Sequence, residues 1–317
     1  MMLVVEPRFE FGRQLDFFDR NLVRELERDG RASLSELATR LGTTRATVQA
    51  RLSKLLETNT LRIVGLTDPG ILGRPVIACI KVRTSTNPAK LAQRMSDMAP
   101  VHWVATTTAV TTVLAQVAFA DNQELSRFVD DELRAIAGVE TVTVNIALAV
   151  YNPVPSDDGE SNRSWLRDAR DNVGFDEADL AIIAQLRIDG RTPYVKLGQI
   201  TGLSTPAARQ RALRLFADGV VRIRALVDPD AAGLVARGEV HLLVNADARR
   251  IAQQLATLPH VTYVVQTFGS CDISVDLECT DLDELLHAVD RAVRLDGVVS
   301  HRFFQHDLVF LTSPVWS

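Results

Sequence analysis

Cysteine is scarce in this sequence, which has three among 317 residues, at positions 79, 271 and 279. An odd, scattered set argues against a disulfide framework and predicts a reducing compartment. Long apolar runs are also missing, because the longest, around 76–80 and 113–120, are too short to cross a bilayer. The N-terminus lacks the basic start and apolar stretch of a signal peptide. We therefore expect a cytoplasmic protein with no membrane partner.

The sequence also shows few signs of a catalytic site. The six histidines, at 102, 241, 260, 287, 301 and 306, show no metal-ligand spacing. No glycine loop that would bind phosphate occurs, and no serine or cysteine lies in a nucleophile elbow. With 46% apolar and 24% charged residues the composition is that of an ordinary globular protein. These absences predict a protein that is not an enzyme and has no metal and no cofactor.

The chain contains an internal duplication. Residues 15–31 align with 175–191 at a shift of 160, and the same shift gives 16 identities over positions 15–73 without a gap. Later pairs such as Val104 with Val264 and Glu124 with Glu284 keep this offset. Between the copies, residues 152–172 are rich in Pro, Ser, Asp and Asn, as linkers are. A length near 140 residues per copy fits two units that each hold two domains.

Helical spacing marks the first part of each unit. In unit one, three apolar stripes predict three helices, with Ser33 as the cap of the second and Gly42 at the turn before the third. The segment 61–64 then reads as a short strand pair or wing. Three helices with this turn and a wing predict a winged helix-turn-helix. We place these domains at 15–66 and 173–226.

The second part of each unit changes its period. Strand-like alternation and two helical stretches follow in the order βαββαβ, which is the ferredoxin-like arrangement. In unit two, Ile273, Val275 and Leu277 face one way, and the residues Ser274, Asp276 and Glu278 face the other. The predicted fold class is therefore α+β: two tandem units, each a winged helix-turn-helix followed by a ferredoxin-like βαββαβ sandwich. We place the sandwiches at 67–151 and 227–317.

Charge is partitioned between the parts. Segment 15–66 carries nine basic and seven acidic residues, and segment 175–226 carries eight and five, which gives net charges of +2 and +3. The remainder carries −10. The overall charge of −5 is therefore the sum of two basic helix-turn-helix domains and an acidic remainder. Basic third helices neutralise phosphates and release counterions, so double-stranded DNA is the expected partner.

Helix angles predict which side chains meet the DNA. With Val48, Leu52 and Leu55 toward the core, the opposite face of the third helix points outward and can enter the major groove. Glutamine there can pair with adenine and threonine can meet a thymine methyl group. Arg51 and Arg211 lie nearer the core edge, where a phosphate contact and an internal salt bridge both remain open. The predicted DNA-binding residues are Thr44, Arg45, Ala46, Thr47, Gln49, Ala50, Arg51, Ser53, Lys54 and Arg62 in unit one, and Thr205, Pro206, Arg209, Gln210, Arg211, Arg214, Arg222 and Arg224 in unit two.

The sequence resembles the leucine-responsive regulator (Lrp/AsnC) family of transcription factors. The resemblance rests on D-x-x-D at Asp16 and Asp19, L-x-x-D-G-R ending at Arg31, E-L-A-x-x-L-G ending at Gly42, and D-P-x-x-L-G ending at Gly73. Unit two repeats much of this pattern, and the two copies cover nearly the whole chain. The resemblance implies a sequence-specific transcriptional regulator whose ferredoxin-like part is the family's RAM domain. It also implies self-association through RAM domains and modulation by an amino acid or a related small molecule.

The family's effector loop contains G-x-x-D after the second RAM strand. Unit two keeps it, so the resemblance assigns effector binding to Thr267, Phe268, Gly269, Ser270, Cys271 and Asp272. A glycine there exposes backbone amides that can take a carboxylate; a tight turn capped by a carboxylate is the competing interpretation. Unit one has Ala109-Val110-Thr111-Thr112 instead, which puts its effector binding in doubt.

Two further expectations follow from this resemblance. The duplication suggests that the two RAM domains of one chain pair as separate subunits do, holding two unlike half-sites about one helical turn (roughly 34 Å) or a multiple apart. Siroheme decarboxylases resemble the same paired design, so such an enzyme is the alternative. The stretch after each winged helix holds single Arg74 and Arg237, with His241, but no clustered arginine pair, and the regulator is therefore preferred.

Overall fold

The structure is a computed structural model that describes residues 15–109, 111–151, 166 and 174–312. The predicted linker lies almost wholly outside these residues. The described elements follow one another as two similar halves. Unit one contains α1 Phe17–Arg28, α2 Leu34–Arg40, α3 Arg45–Glu57, β1 Leu61–Leu66, β2 Val76–Thr84, α4 Pro88–Ser96, β3 Val101–Thr107, β4 Thr112–Phe119, α5 Asn122–Arg127 and β5 Val139–Tyr151. Unit two contains α6 Glu177–Ile188, α7 Tyr194–Thr201, α8 Thr205–Ala217, β6 Arg222–Val227, β7 Ala236–Val244, α9 Ala248–Leu255, β8 Val261–Phe268, β9 Ile273–Cys279, α10 Leu282–Val293 and β10 Val298–Thr312.

Side-chain caps fix the starts of the first helices. Asp16 caps α1 by accepting from the amide of Asp19, and Ser33 and Glu36 form a reciprocal capping box at α2. In unit two Asp176 repeats the first cap, whereas α7 begins after Pro193 without a side-chain cap. Each group of three helices closes around its own apolar cluster. The two helix-turn-helix modules therefore form from local signals, as predicted.

The strand of each predicted wing pairs with the other unit. Strand β1 does not form a hairpin within its own unit but pairs antiparallel with β6, with Leu61 opposite Val227 and Leu66 opposite Arg222. Within the described residues this two-stranded ribbon is a sheet of its own. It packs between the units because Ile63 belongs to the core of the first module together with Ala225. A short strand gives no local indication of a partner 160 residues away.

The remaining strands form one closed barrel. Their order, β10-β3-β4-β2-β5-β8-β9-β7, consists of two ferredoxin-like sheets, β3-β4-β2-β5 and β8-β9-β7-β10. The sheets join at two seams: β5 with β8, where Val150 faces Val265, and β10 with β3, where His306 faces Thr107. The helices of each half pack on its sheet over a separate apolar core. The predicted fold class is thus confirmed, and the sheets of one chain pair with each other.

The second helix of the first sandwich is not α-helical throughout. After α5, residues Phe128–Leu133 form a π-helical turn that buries Phe128, Val129 and Leu133 against the first sheet.

Within the described residues, no helix combines the length and the apolarity that a membrane crossing requires.

Candidate nucleic-acid interface and effector loop

Helices α3 and α8 begin in the same way. The hydroxyl of Thr44 accepts from the amide of Thr47 at 3.1 Å, and that of Ser204 accepts from the amide of Ala207 at 3.4 Å. Each helix buries one side, Val48, Leu52 and Leu55 in α3 and the corresponding positions in α8. The opposite side of each helix is therefore left to solvent.

Most of the predicted reading residues lie on that free side. They are exposed and have a polar, cationic or small side chain. In unit one they are Thr44, Arg45, Ala46, Thr47, Gln49, Ala50, Ser53 and Lys54, and in unit two they are Thr205, Pro206, Arg209, Gln210 and Arg214. The two faces differ in composition, since α3 presents alanines where α8 presents Pro206 and Gln210.

Arg51 and Arg211 are in internal ion pairs. The guanidinium of Arg51 lies 2.5 Å from a carboxylate oxygen of Asp16 and 3.3 Å from Asp19. Arg211 makes the same pairs with Asp176, at 2.5 Å, and Asp179, at 3.2 Å. Of the two roles that the sequence left open, the structure shows the salt bridge. The D-x-x-D pattern is thereby explained, because it caps the first helix and fixes the third against it.

These pairs shift the titration of the capping carboxylates. The amide of Asp19 and the Arg51 guanidinium hold the pKa of Asp16 below its ordinary value. The Arg211 side chain, with the amide of Asp179, lowers the pKa of Asp176. Arg214 adds a third contact, 2.6 Å from Asp179. Part of the basic charge on each third helix is therefore balanced within the module.

The arginines of the predicted wings lie on the ribbon between the units. Arg62 is exposed, whereas Arg222 and Arg224 are half-buried at the strand pairs with Leu66 and Val64. Their positions depend on β1–β6 pairing and not on a projecting hairpin. A phosphate contact from Arg222 or Arg224 is therefore a weaker prediction than one from the exposed residues of α3 and α8.

The D-G-R turns join the two modules reciprocally. Arg31 donates to the carbonyl of Gly190 at 2.5 Å and to that of Thr192 at 3.1 Å. Arg191 donates to the carbonyl of Gly30 at 2.9 Å and to that of Ala32 at 2.8 Å. We call these reciprocal contacts of Arg31 and Arg191 the clasp. Sequence reasoning missed it, although the arginine repeated after the first helix of each unit could have indicated it.

The predicted effector loop lies at the β5–β8 seam. Asn145 of β5 accepts through its side-chain oxygen from the amide of Ser270 at 2.6 Å and from its hydroxyl at 3.0 Å. A Cβ on Gly269 would lie 2.4 Å from that same oxygen, and the φ of this residue, +158°, is one that residues with a Cβ rarely adopt. The carboxylate of Asp272 accepts from the amide of Val244 at 2.8 Å, which joins the loop to the end of β7.

The two ends of the loop differ in exposure. Thr267 and Cys271 are buried, and the Thr267 hydroxyl donates to the Cys271 carbonyl at 2.7 Å. Phe268 is 73% exposed and adjoins the seam. The loop therefore presents one aromatic side chain to solvent while its polar groups are engaged within the protein.

The polar face of the second sheet is enclosed in the barrel and not solvated. Glu239 of β7 is buried, 2.6 Å from the Nε2 atom of His241, and it accepts from the hydroxyl of Ser274. Burial opposes the charge of His241, but the Glu239 carboxylate outweighs it and raises the pKa of His241 to about 10. Burial and Glu239 together hold the pKa of Asp276 well above its ordinary value. Burial lowers the pKa of His306 to about 4.

Sequence reasoning did not place these groups together, because strict alternation gives the face of a side chain but not what covers that face. A narrow gap borders this cluster and is lined from both sheets, with Lys81, Gln116 and Asn145 on the side of unit one. The gap leaves no room for a water molecule, whereas pockets that hold drug-sized ligands measure roughly 300–1,000 Å³. Arg237, which the enzyme alternative invoked, donates to the Leu234 carbonyl and pairs with Asp230.

Family models match most of these domains. The AsnC-type helix-turn-helix domain matches residues 15–56 and 175–215, and the Lrp/AsnC ligand binding domain matches residues 76–156. The latter match falls in unit one, the unit whose effector loop departs from the pattern. Both helix-turn-helix matches end within the third helix of a module.

Curated relatives are about half as long as this chain. An HTH-type transcriptional regulator of Pyrococcus abyssi is 32% identical over 141 residues, which cover 43% of this chain and 88% of that protein. The HTH-type transcriptional regulator LysM of Saccharolobus solfataricus is 27% identical over 134 residues, which cover 40% and 90%. One such protein therefore corresponds to one of the two units.

Among solved structures, the siroheme decarboxylase NirDL in complex with an iron-uroporphyrin III analogue is similar over 94% of both chains, with a TM-score of 0.64 and 14% identity. At this identity the likeness concerns the fold alone. It shows that paired helix-turn-helix and ferredoxin-like units occur with this overall arrangement in another protein.

Proposed function

The chain belongs to the Lrp/AsnC family of DNA-binding transcriptional regulators, and from that premise we propose that one chain supplies by itself the paired DNA-reading surface that two subunits otherwise provide. The supporting observation is that the two modules carrying the exposed recognition helices are hydrogen-bonded to each other, through the contacts of Arg31 and Arg191 and through the β1–β6 ribbon. The two RAM sheets also pair within the chain, since β5 joins β8 and β10 joins β3.

In this proposal the exposed side chains divide into two roles. Arg45, Lys54 and Arg209 contact phosphates and supply salt-dependent affinity. Gln49 and Gln210 read base edges in the major groove. Because α3 and α8 present different side chains, the operator consists of two unlike half-sites and not of a perfect palindrome.

Effector binding is proposed at the loop from Thr267 to Asp272. An amino acid bound beside Phe268 would touch the β5–β8 seam, where Asn145 already holds Ser270. If the amino acid bound one geometry of this seam more tightly than another, its binding would favour that geometry. The spacing between helices α3 and α8 would then change. Any further self-association would use the surface of the RAM domains that is left exposed after they pair within the chain.

The test is selection of bound fragments from genomic DNA by the full chain, followed by footprinting of single sites with and without amino acids. We expect two protected half-sites that fill together at protein concentrations where the chain is a monomer by light scattering. Lys54→Glu should abolish protection of one half-site and Arg209→Glu that of the other, with the remaining half weakened in each case because the effective concentration from tethering is lost. Protection of a single half-site by the unmodified chain would contradict the proposal.

A further inference from the structure

The barrel interior contains three ionisable side chains on three adjacent strands that DNA binding does not use. Glu239 of β7 and Asp276 of β9 are opposite each other in the strand register. His306 lies on β10, the neighbour of β7 on its other side. One potential ligand atom from each of the three lies within 4.8 Å of those of the other two.

The two carboxylates are not equally satisfied. Glu239 has the His241 imidazole and the Ser274 hydroxyl as partners. The Oδ1 atom of Asp276 is buried and has no hydrogen-bond partner in the described part of the chain. Two carboxylates that face each other in a poorly solvated interior repel unless a proton or a cation lies between them.

Two other orphan atoms lie near this pair. The Nε2 atom of His306 and the hydroxyl oxygen of Tyr263 are each buried without a partner among the described residues. His306 is electrostatically coupled to Glu239, and Tyr263 to Asp276. Buried polar groups are nearly always paired, so several orphans at one place are suited to hold an ion or an ordered water.

We propose that Glu239, Asp276 and His306 bind a divalent transition-metal ion of the Zn²⁺ or Mn²⁺ type inside the barrel. Two carboxylates and one imidazole form a mixed oxygen–nitrogen donor set that suits these ions. Ser274 and His241 hold the Glu239 carboxylate in place, which is the role of outer partners at metal sites.

The donor set is present in one unit only. At the shift of 160, Glu239, Asp276 and His306 correspond to Cys79, Gln116 and Ile146. The first sheet therefore lacks both carboxylates and the imidazole. One ion per chain follows, bound on the side of unit two.

The site lies beside the seam that closes the barrel. His306 is also the residue of β10 that pairs with Thr107 of β3, and its ring lies 5.2 Å from that of Trp103. An ion held by β7, β9 and β10 would fix β10 in the register that joins the two units. Metal binding would thus stabilise the intramolecular pairing.

The experiment uses the full chain, treated with a chelator and dialysed against ZnCl₂ or MnCl₂, with bound metal counted by mass spectrometry. We expect one ion per chain and a higher melting temperature with metal, because a ligand that binds only the folded state stabilises it. Asp276→Asn and His306→Gln should each weaken binding about tenfold or more. Asp276→Asn should also melt no lower than the unmodified chain without metal, since it removes the facing carboxylate.

A second cluster supplies the matched control. His260, Cys279 and Glu284 also lie close enough to share an ion, but the His260 ring is 3.2 Å from the Glu284 carboxylate, which also accepts from Thr280. His260→Gln should leave the stoichiometry and the metal-dependent melting shift unchanged. If metal binding survives Asp276→Asn and His306→Gln, or disappears in His260→Gln, the site is not the one proposed. No bound metal in the unmodified chain would equally overturn the proposal.

Discussion

Gly190 donates its backbone N–H to the carbonyl of Ile63 at 2.7 Å, so the D-G-R turn of unit two is hydrogen-bonded to the ribbon strand of unit one. The two backbones approach so closely that a Cβ on Gly190 would lie 3.0 Å from the carbonyl carbon of Val64 and 3.2 Å from the oxygen of Ile63. The glycine of this motif is therefore explained by an inter-unit contact.

Gly190→Ala should lower the free energy of unfolding by about 1–3 kcal/mol, because backbone atoms on the opposing strand must move to admit a methyl group. Chemical denaturation followed by circular dichroism measures the change. Gly174→Ala is the control, since a Cβ there meets nothing within 4 Å, and its effect should remain within about 0.5 kcal/mol. Equal changes in the free energy of unfolding for the two variants would show that the ribbon strands move aside for the methyl group at little cost.

Arg31→Ala should destabilise the pair of modules by about 1–3 kcal/mol, because two partly buried carbonyls lose their donor. Arg191→Ala removes the reciprocal pair and should cost a similar amount. Since both residues belong to one clasp, the double variant should cost less than the sum of the single variants. Arg28→Ala provides the control, because its pair with Glu25 is exposed and is expected to contribute less than about 1 kcal/mol. Strict additivity would argue against one cooperative clasp.

The helices, the duplication and the ferredoxin-like order could be predicted because each depends on local periodicity or on self-comparison. The partner of β1 could not, since Leu61–Leu66 carries no information about which distant strand completes its hydrogen bonds. The enclosure of Asp276 was hidden for a related reason. Its alternation with Val275 and Leu277 is the same whether the polar face meets water or a second sheet.

The candidate DNA-binding site likewise combines features that the sequence predicts with features that it does not. The exposed face of α3 followed from helix angles alone, because Val48, Leu52 and Leu55 fix the orientation of the helix. The roles of Arg31 and Arg51 required three-dimensional contacts, with carbonyls of the other unit and with Asp16. Long cationic side chains reach several partners from one backbone position, so their sequence position does not determine which they choose.

Asp176→Asn tests the ion pair that orients α8, since asparagine keeps the helix cap but not the charge. The Arg211 side chain lowers the pKa of Asp176 below the ordinary value of 3.8. A lowered pKa in the folded state contributes stability above the unfolded pKa, and this contribution is lost as the pH falls through the folded pKa. The variant should therefore melt below the unmodified chain between about pH 5 and 7, and the difference should shrink below pH 3.8. Melting temperatures across this pH range provide the measurement, and Asp16→Asn in unit one should behave alike. A difference that widens in acid would mean that the carboxylate acts in some other way.

Gln210→Ala should relax the choice of base at one position of the operator, because only a side chain that pairs with a base edge carries sequence information. The expected loss of discrimination is about 1–3 kcal/mol at that position, with little change in affinity for random DNA. Arg209→Ala should instead weaken binding to all sequences alike and reduce the slope of log affinity against log salt by about one. Competition binding against a panel of single-base operator variants at several salt concentrations separates the two effects. Gln123→Ala, an exposed glutamine of α5 far from the recognition helices in the sequence, should change neither quantity. If Gln210→Ala and Arg209→Ala produce the same pattern, the outward face of α8 is misassigned and the bases are read by other side chains.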